Sequence, residues 1–401
     1  MALYLGIDIG ARSLTAIVIE VERDTRRIVF NRSWQFDRHF PEYASADNRP
    51  LMWADAIDRM FARLASAAEI EIERIRAITG AMQPCDVDLP RAAADAWGAI
   101  TPSGALARQL KYIFEAPYSA VTGAVRATEY VESLLAGIDP DAHHSPEAGR
   151  LAAYWRKRYA LPAAAIVPWS GADQATMIGT GVIRDRVLGV SFDTADIVFA
   201  RGHELRFHNG SLAREWLCVE YGLDWDAIAR ILEARPGNDE LIMLPWLVDE
   251  ETPRVAQPAV RRFGFDRHDA AANVRALIEA QMMAMANHAA ALTSEPVDRI
   301  IVTGGDTVHR ALLQVMANVF GADVYRLDAG NASALGAALR AYHADRLAVG
   351  EPISWQNVIS GFTEPDGHRV APNPRHVELY AGLRRDYALL ERLHQHRAPI
   401  C

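Results

Sequence analysis

The chain has 401 residues, half of them hydrophobic and 23% charged, with a formal net charge of −9. That length is too great for a single core and predicts two or more domains, while the acidic balance argues against nonspecific binding to nucleic acid or an anionic membrane. Cys85, Cys218 and Cys401 lie too far apart for a disulfide framework or a thiolate zinc cluster, no basic leader precedes Asp8, and no uncharged stretch reaches the roughly 20 apolar residues of a membrane helix, so a cytoplasmic globular protein is expected.

In chain order, "ALYLGIDIG" predicts a short apolar strand that ends in a glycine-flanked acid. "LTAIVIEVE" and "RIVFNRSWQF", joined by "RDTR", predict two more strands of alternating character. "LMWADAIDRMFARLASAAE" places its apolar residues at helical spacing, and "RIRAITGAM" follows as a strand. "GIDPDAHHSPEAG" (137–149) is expected to be a surface connection. The same grammar then returns: "VLGVSFDTADIVFARG" as a hairpin, "WDAIARILEA" and "AANVRALIEAQMMAMANHAAAL" as helices, and "DRIIVTGGD" as a strand entering a glycine turn. Two halves that each open on a hairpin and then alternate strands with helices predict a duplicated α/β architecture.

Four stretches could carry chemistry, and each also has a structural explanation. "GIDIGARS" (6–13) puts Asp8 ahead of a turn whose amides, Gly10 to Ser13, could face phosphates, or it is a tight hairpin needing Gly10 for positive φ. "PWSGADQATMIGTG" (168–181) puts Asp173 after a strand and ahead of a helix, as a general base or as a helix cap. "VTGGDTVHRALLQ" (302–314) suits a purine or phosphate edge, or is an ordinary turn between strand and helix. "AGNASALGAALRAYHA" (329–344) lets something approach closely, whether a ligand or another helix. His143, His144, His394 and His396 have no partner acids at ligand spacing, and Met282, Met283 and Met285 read as core filling. There is no P-loop, no dinucleotide fingerprint and no zinc-protease signature.

The order of the pieces is more informative than any one of them. "GIDIG", "SGADQ", "SFDTADIVFA", "VTGGD" and "ASALGAALRA" together resemble the FGGY family of carbohydrate kinases, with xylulokinases the nearest pattern. "FHNGSLAREW", "IMLPWLVDEETPRV", "NVRALIEAQ", "VFGADVY" and "APNPRHVELYAGL" extend the likeness, which is dense from about residue 162 and sparse between 86 and 150. The resemblance implies two ribonuclease-H-like domains of the actin-like ATPase superfamily flanking a cleft: a shortened sugar-side domain at 1–165 and a nucleotide-side domain at 166–401. Each is expected to hold a mixed five-stranded sheet whose first three strands form a meander, with the motifs converging on the cleft.

It also implies ATP and Mg²⁺ as cofactors and a small sugar or polyol as substrate, with no nucleic acid or membrane partner and a homodimer left open. By position, Asp8 would organise Mg²⁺ and Asp173 would take the proton from the sugar hydroxyl. The first phosphate loop would be Gly10, Ala11, Arg12 and Ser13, and the second would include Asp193 and Thr194. Gly304, Gly305 and Asp306 would line the adenine side with Gly336 nearby, and Gln83 and Cys85 would meet the sugar.

Several positions depart from the family pattern. Asp193 replaces a glycine, Asp306 a glycine or alanine, Ala11 a threonine and Cys85 a histidine. Asp173 aligns with the family's catalytic acid only if the turn has lost one residue, since without a gap Ala172 takes that place. An acid within about 4–5 Å of a phosphate charge costs roughly 3–4 kcal/mol at an effective dielectric near 20. Two readings follow: an ATP-dependent sugar kinase with an altered acceptor pocket, or a catalytically silent FGGY-like protein that binds a ligand or partner without phosphoryl transfer.

Overall fold

The computed structural model describes residues 2–22, 25–43, 49–68, 70–82, 85–88, 124–136, 149–192, 195–200, 203–234, 236–304, 309–326, 329–363 and 369–395. The chain forms two compact units that interleave along the sequence: Met1–Gly179 with Gly330–Glu364, and Thr180–Ala329 with Pro365–Cys401. In the first unit a late helix, Ala329–Ala348, folds back onto the first strand.

In the first unit, strands Ala2–Ile9, Ser13–Val21 and Arg26–Gln35 make an antiparallel meander, as the alternating sequence predicts. Strand Ile75–Met82 adds parallel to the first, and the short strands Ala165–Ile166 and Ser170–Gly171 pair with it. The sheet thus has six strands rather than five, the surplus being two-residue strands too short to show a period. One face carries Leu3, Leu5, Ile7 and Ile9 into a core built with helices Arg49–Ala65 and Ala127–Ala136. The other face carries Tyr4, Gly6 and Asp8 towards helix 329–348, since side chains alternate along a strand.

That second contact fixes the helix in register and direction. A Cβ on Gly6 would lie 2.1 Å from the Ala334 carbonyl oxygen, so only glycine admits the helix this close. Tyr4 donates to Asp345 at 2.8 Å and its ring meets Tyr342, so the helix runs antiparallel to the strand, with 334, 338, 342 and 345 as its inner stripe.

The second unit repeats the plan. Strands Val187–Phe192, Asp196–Ala200 and His203–Phe207 form a meander, Arg299–Gly304 joins parallel to the first, and Asp323–Arg326 and Arg369–Val370 extend the sheet. Helix Ala270–Ala289 crosses its core, capped by Asp269, with Met282, Met283 and Met285 buried as expected of gap-filling side chains. The terminal stretch containing His394 is helical, Pro374–His394, started by an Asn373 cap and a proline in its first turn. His143 and His144 lie outside the described residues.

Candidate active site

Three candidate segments of the first unit leave its sheet side by side. Ile9 is the register partner of Met82, and Met82 is the register partner of Gly171. The Gly10 turn, Met82 and the start of the Asp173 helix therefore stand at the ends of three adjacent strands at one edge, spaced by about 4.8 Å per strand. This is the carboxyl edge of parallel strands, where α/β sheets bind their ligands. Gln83 itself lies outside the described residues, and Cys85 is exposed, with its carbonyl accepting from the Ala127 amide at 2.9 Å.

Asp8 is 8% exposed and accepts a 2.7 Å hydrogen bond from the Ser333 hydroxyl on Oδ1. Burial pushes its carboxyl up to about 6, and the Ser333 bond pulls the other way. Oδ2 lies towards the turn, 4.0 Å from where a Cβ of Gly10 would stand. The turn is closed by the Gly10 amide donating to the Ser13 carbonyl at 2.9 Å, and the Phe36 amide ties down the Arg12 carbonyl at 2.8 Å. Ala11 and Arg12 are exposed and Ser13 is half-buried.

Asp173 is exposed in the first turn of helix Ala172–Gly179, a position where the helix dipole favours a carboxylate. Helix 329–348 fixes that helix too. A Cβ on Gly179 would meet the Ala332 carbonyl oxygen at 1.8 Å, and one on Gly336 would meet that of Ala175 at 1.8 Å. Gly336 thus sits in a helix–helix contact of the first unit, the close-packing explanation of the small-residue stretch. The same helix touches Asp8 through Ser333 and holds the helix that bears Asp173.

In the second unit, Phe192 and Gly304 are register partners at the ends of parallel strands. Asp193, Thr194, Gly305 and Asp306 follow them in the chain and lie outside the described residues. Asp196 is fully buried and paired with Arg214. A Cβ on Gly210 would come within 2.4 Å of the Asp196 carboxyl carbon, so that glycine makes room for the ion pair.

Ser333, Arg214 and Gln281 did not stand out in the sequence. The hint available for Ser333 was a hydroxyl in the small-residue first half of helix Ala329–Ala348. Among the described residues no helix is long and apolar enough to cross a membrane, and no group of three or more His, Cys, Asp or Glu could hold a metal. One buried carboxylate with an oxygen towards an amide turn does fit Mg²⁺ that keeps most of its water and arrives with phosphates.

Comparisons with known proteins agree with this geometry. Residues 213–344 match the FGGY family of carbohydrate kinases, C-terminal domain. Xylulose kinase of Rattus norvegicus is 30% identical over 286 residues, covering 63% of this chain and 52% of that protein. The chain spans about half the length of the curated relatives it matches. Among solved structures, xylulose kinase from Rhodospirillum rubrum superposes with a TM-score of 0.67 at 19% identity, covering 98% of this chain and 99% of that one. Gluconate kinase from Lactobacillus acidophilus does so with a TM-score of 0.67 at 16% identity, covering 98% of each. The fold is that of these solved kinases, and residues 213–344 are similar to the C-terminal domain of the FGGY family of carbohydrate kinases.

Proposed function

We propose that the protein is an ATP-dependent, xylulokinase-like carbohydrate kinase that transfers the γ-phosphoryl group to a hydroxyl of a small sugar or polyol. The observation that carries this reading is the register Ile9–Met82–Gly171, which brings the Asp8 turn, the end of the Met82 strand and the Asp173 helix to one sheet edge. Phosphoryl transfer demands positioning and charge stabilisation more than covalent chemistry, and a rigid strand edge with two carboxylates suits that demand.

In this reading Asp173 takes the proton of the acceptor hydroxyl, for which its exposed place in the first helical turn leaves it accessible. Asp8 would hold Mg²⁺, which when bound would supply positive charge against the phosphates. The turn of Gly10 to Ser13 would meet phosphates through its amides beyond Gly10, whose N–H is taken by Ser13; Thr194 and amides next to Asp193 would do so in the second loop, and Gly304, Gly305 and Asp306 would line the nucleoside. Gln83 and Cys85 face the acceptor. Cys85 in place of the family's histidine points to an acceptor other than xylulose.

The test is ATP consumption by the purified protein with Mg²⁺ across a panel of ketoses, polyols and sugar acids. Acceptor-dependent turnover with at least one compound is expected. Nucleotide binding without turnover on any acceptor would instead identify a silent FGGY protein.

A further inference from the structure

We propose that Ser333 is a positioning residue for Asp8: its hydroxyl takes one carboxylate oxygen so that the other is presented to the Gly10 turn. The inference rests on the kinase reading for its purpose, but the geometry stands without it. Ser333 donates to Oδ1 at 2.7 Å, and both residues are buried. Oδ2 is the oxygen nearest the turn, 4.0 Å from the Cβ position of Gly10.

Serine reaches Asp8 because its helix has no freedom to slide. The Gly6 contact with Ala334 and Ala338 sets the helix one residue beyond Ser333, and two residues along the strand from Gly6 comes Asp8 on the same face. Gly179 and Gly336 lock the helix a second time, against the helix that bears Asp173. A carboxylate on a strand end can otherwise rotate about χ1 and χ2. Here a buried, charge-assisted hydrogen bond selects one orientation, and such bonds are stronger than neutral ones. Ser333 touches no substrate atom in this scheme and acts only through Asp8.

The experiment is titration of the full chain with Mg·ATP, and with Mn·ATP followed by electron paramagnetic resonance, in the absence of any acceptor. Ser333→Ala should weaken metal-nucleotide binding about tenfold, the scale of one hydrogen bond to a charged group. Alanine favours the helix, so thermal melting should show a folded protein. Ser333→Thr, which keeps the hydroxyl, should retain binding near wild type. In an Asp8→Asn background, Ser333→Ala should add no further loss, whereas a purely packing role would persist there.

Equal weakening by Ala and Thr, no effect of Ala, or an undiminished effect in the Asp8→Asn background would each overturn the proposal. Absence of metal-nucleotide binding in the wild type would overturn both this proposal and the kinase reading. Failure of the kinase reading alone would appear separately, as a wild type that binds Mn·ATP yet phosphorylates no acceptor.

Discussion

Arg214 grips Asp196 with two prongs, Nη1 to Oδ2 and Nη2 to Oδ1, each at 2.7 Å and both side chains buried. Gln281 and Ser211 accept further bonds from the same guanidinium at 3.0 and 2.9 Å, and its plane lies over the Phe192 ring. The pair therefore anchors strand Asp196–Ala200 to two helices of the second unit. Removing one partner strands a buried charge, so Arg214→Met should destabilise the protein by about 3–5 kcal/mol. Arg214→Met with Asp196→Leu should recover much of that loss, because an apolar pair leaves no charge behind. Urea denaturation of the three proteins measures both effects.

Asp8 gives a pH signature. Its carboxyl sits at about 6 in the folded protein, above its ordinary value, so the folded state binds the proton more tightly than the unfolded chain. Stability from this group is fully present below the unfolded value near 4 and is lost as pH rises through about 6. In metal-free buffer, Asp8→Asn should therefore leave stability unchanged near pH 4. Above pH 6 it should raise stability by up to about 3 kcal/mol, since each tenfold difference in proton affinity between the two states is worth roughly 1.4 kcal/mol. Melting curves from pH 4 to 8 would show the gap opening. A constant difference at all pH values would mean that Asp8 is not strained by burial.

Asp173 separates binding from chemistry. Asp173→Asn should leave Mg·ATP affinity nearly intact and lower turnover on the best acceptor by at least about a hundredfold, the scale of a lost general base. Unchanged turnover would make Asp173 a helix-terminus residue only, a role its place in the first turn also suits.

Asp193 is the acid that departs from the family's phosphate-loop pattern. If it repels the triphosphate, Asp193→Gly should tighten Mg·ATP by roughly 2–4 kcal/mol on the Coulomb scale. If it has become a metal ligand, the same change should weaken binding and shift the metal dependence. Calorimetric titration with and without Mg²⁺ reads the sign directly.

Gly336 tests the helix crossing. A methyl group there would lie 1.8 Å from the Ala175 carbonyl oxygen, a backbone atom that cannot swing aside. Gly336→Ala should cost about 1–3 kcal/mol or more, as overpacking does, even though alanine suits a helix better. Chemical denaturation should show the loss, and a stabilised variant would refute the contact.

The strands, both meanders and the doubling of the plan were legible because "ALYLGIDIG" and "VLGVSFDTADIVFARG" alternate with period two and sit between turn residues. The edge occupied by Asp8 and Asp173 was legible too, as ordered motifs. The packing partner of Asp8 was not. Helix Ala329–Ala348 mixes small apolar residues with Arg340, His343, Asp345 and Arg346 and shows no clean apolar stripe, and Ser333 lies 325 residues from its partner. Arg214 entered only as part of the family-like segment "FHNGSLAREW", and it is the tertiary fold that turns it inward onto Asp196.

The interleaved layout has a consequence for biosynthesis. When a ribosome has delivered the first 179 residues, the strand with Tyr4, Gly6 and Asp8 still lacks the helix that covers it, and the whole of Thr180–Ala329 must emerge first. The nascent first unit thus leaves Tyr4, Gly6 and the otherwise buried Asp8 uncovered throughout synthesis of most of the second. A polypeptide ending at Gly179 should bind chaperones or aggregate, and a separately expressed Gly330–Glu364 segment should rescue it in trans.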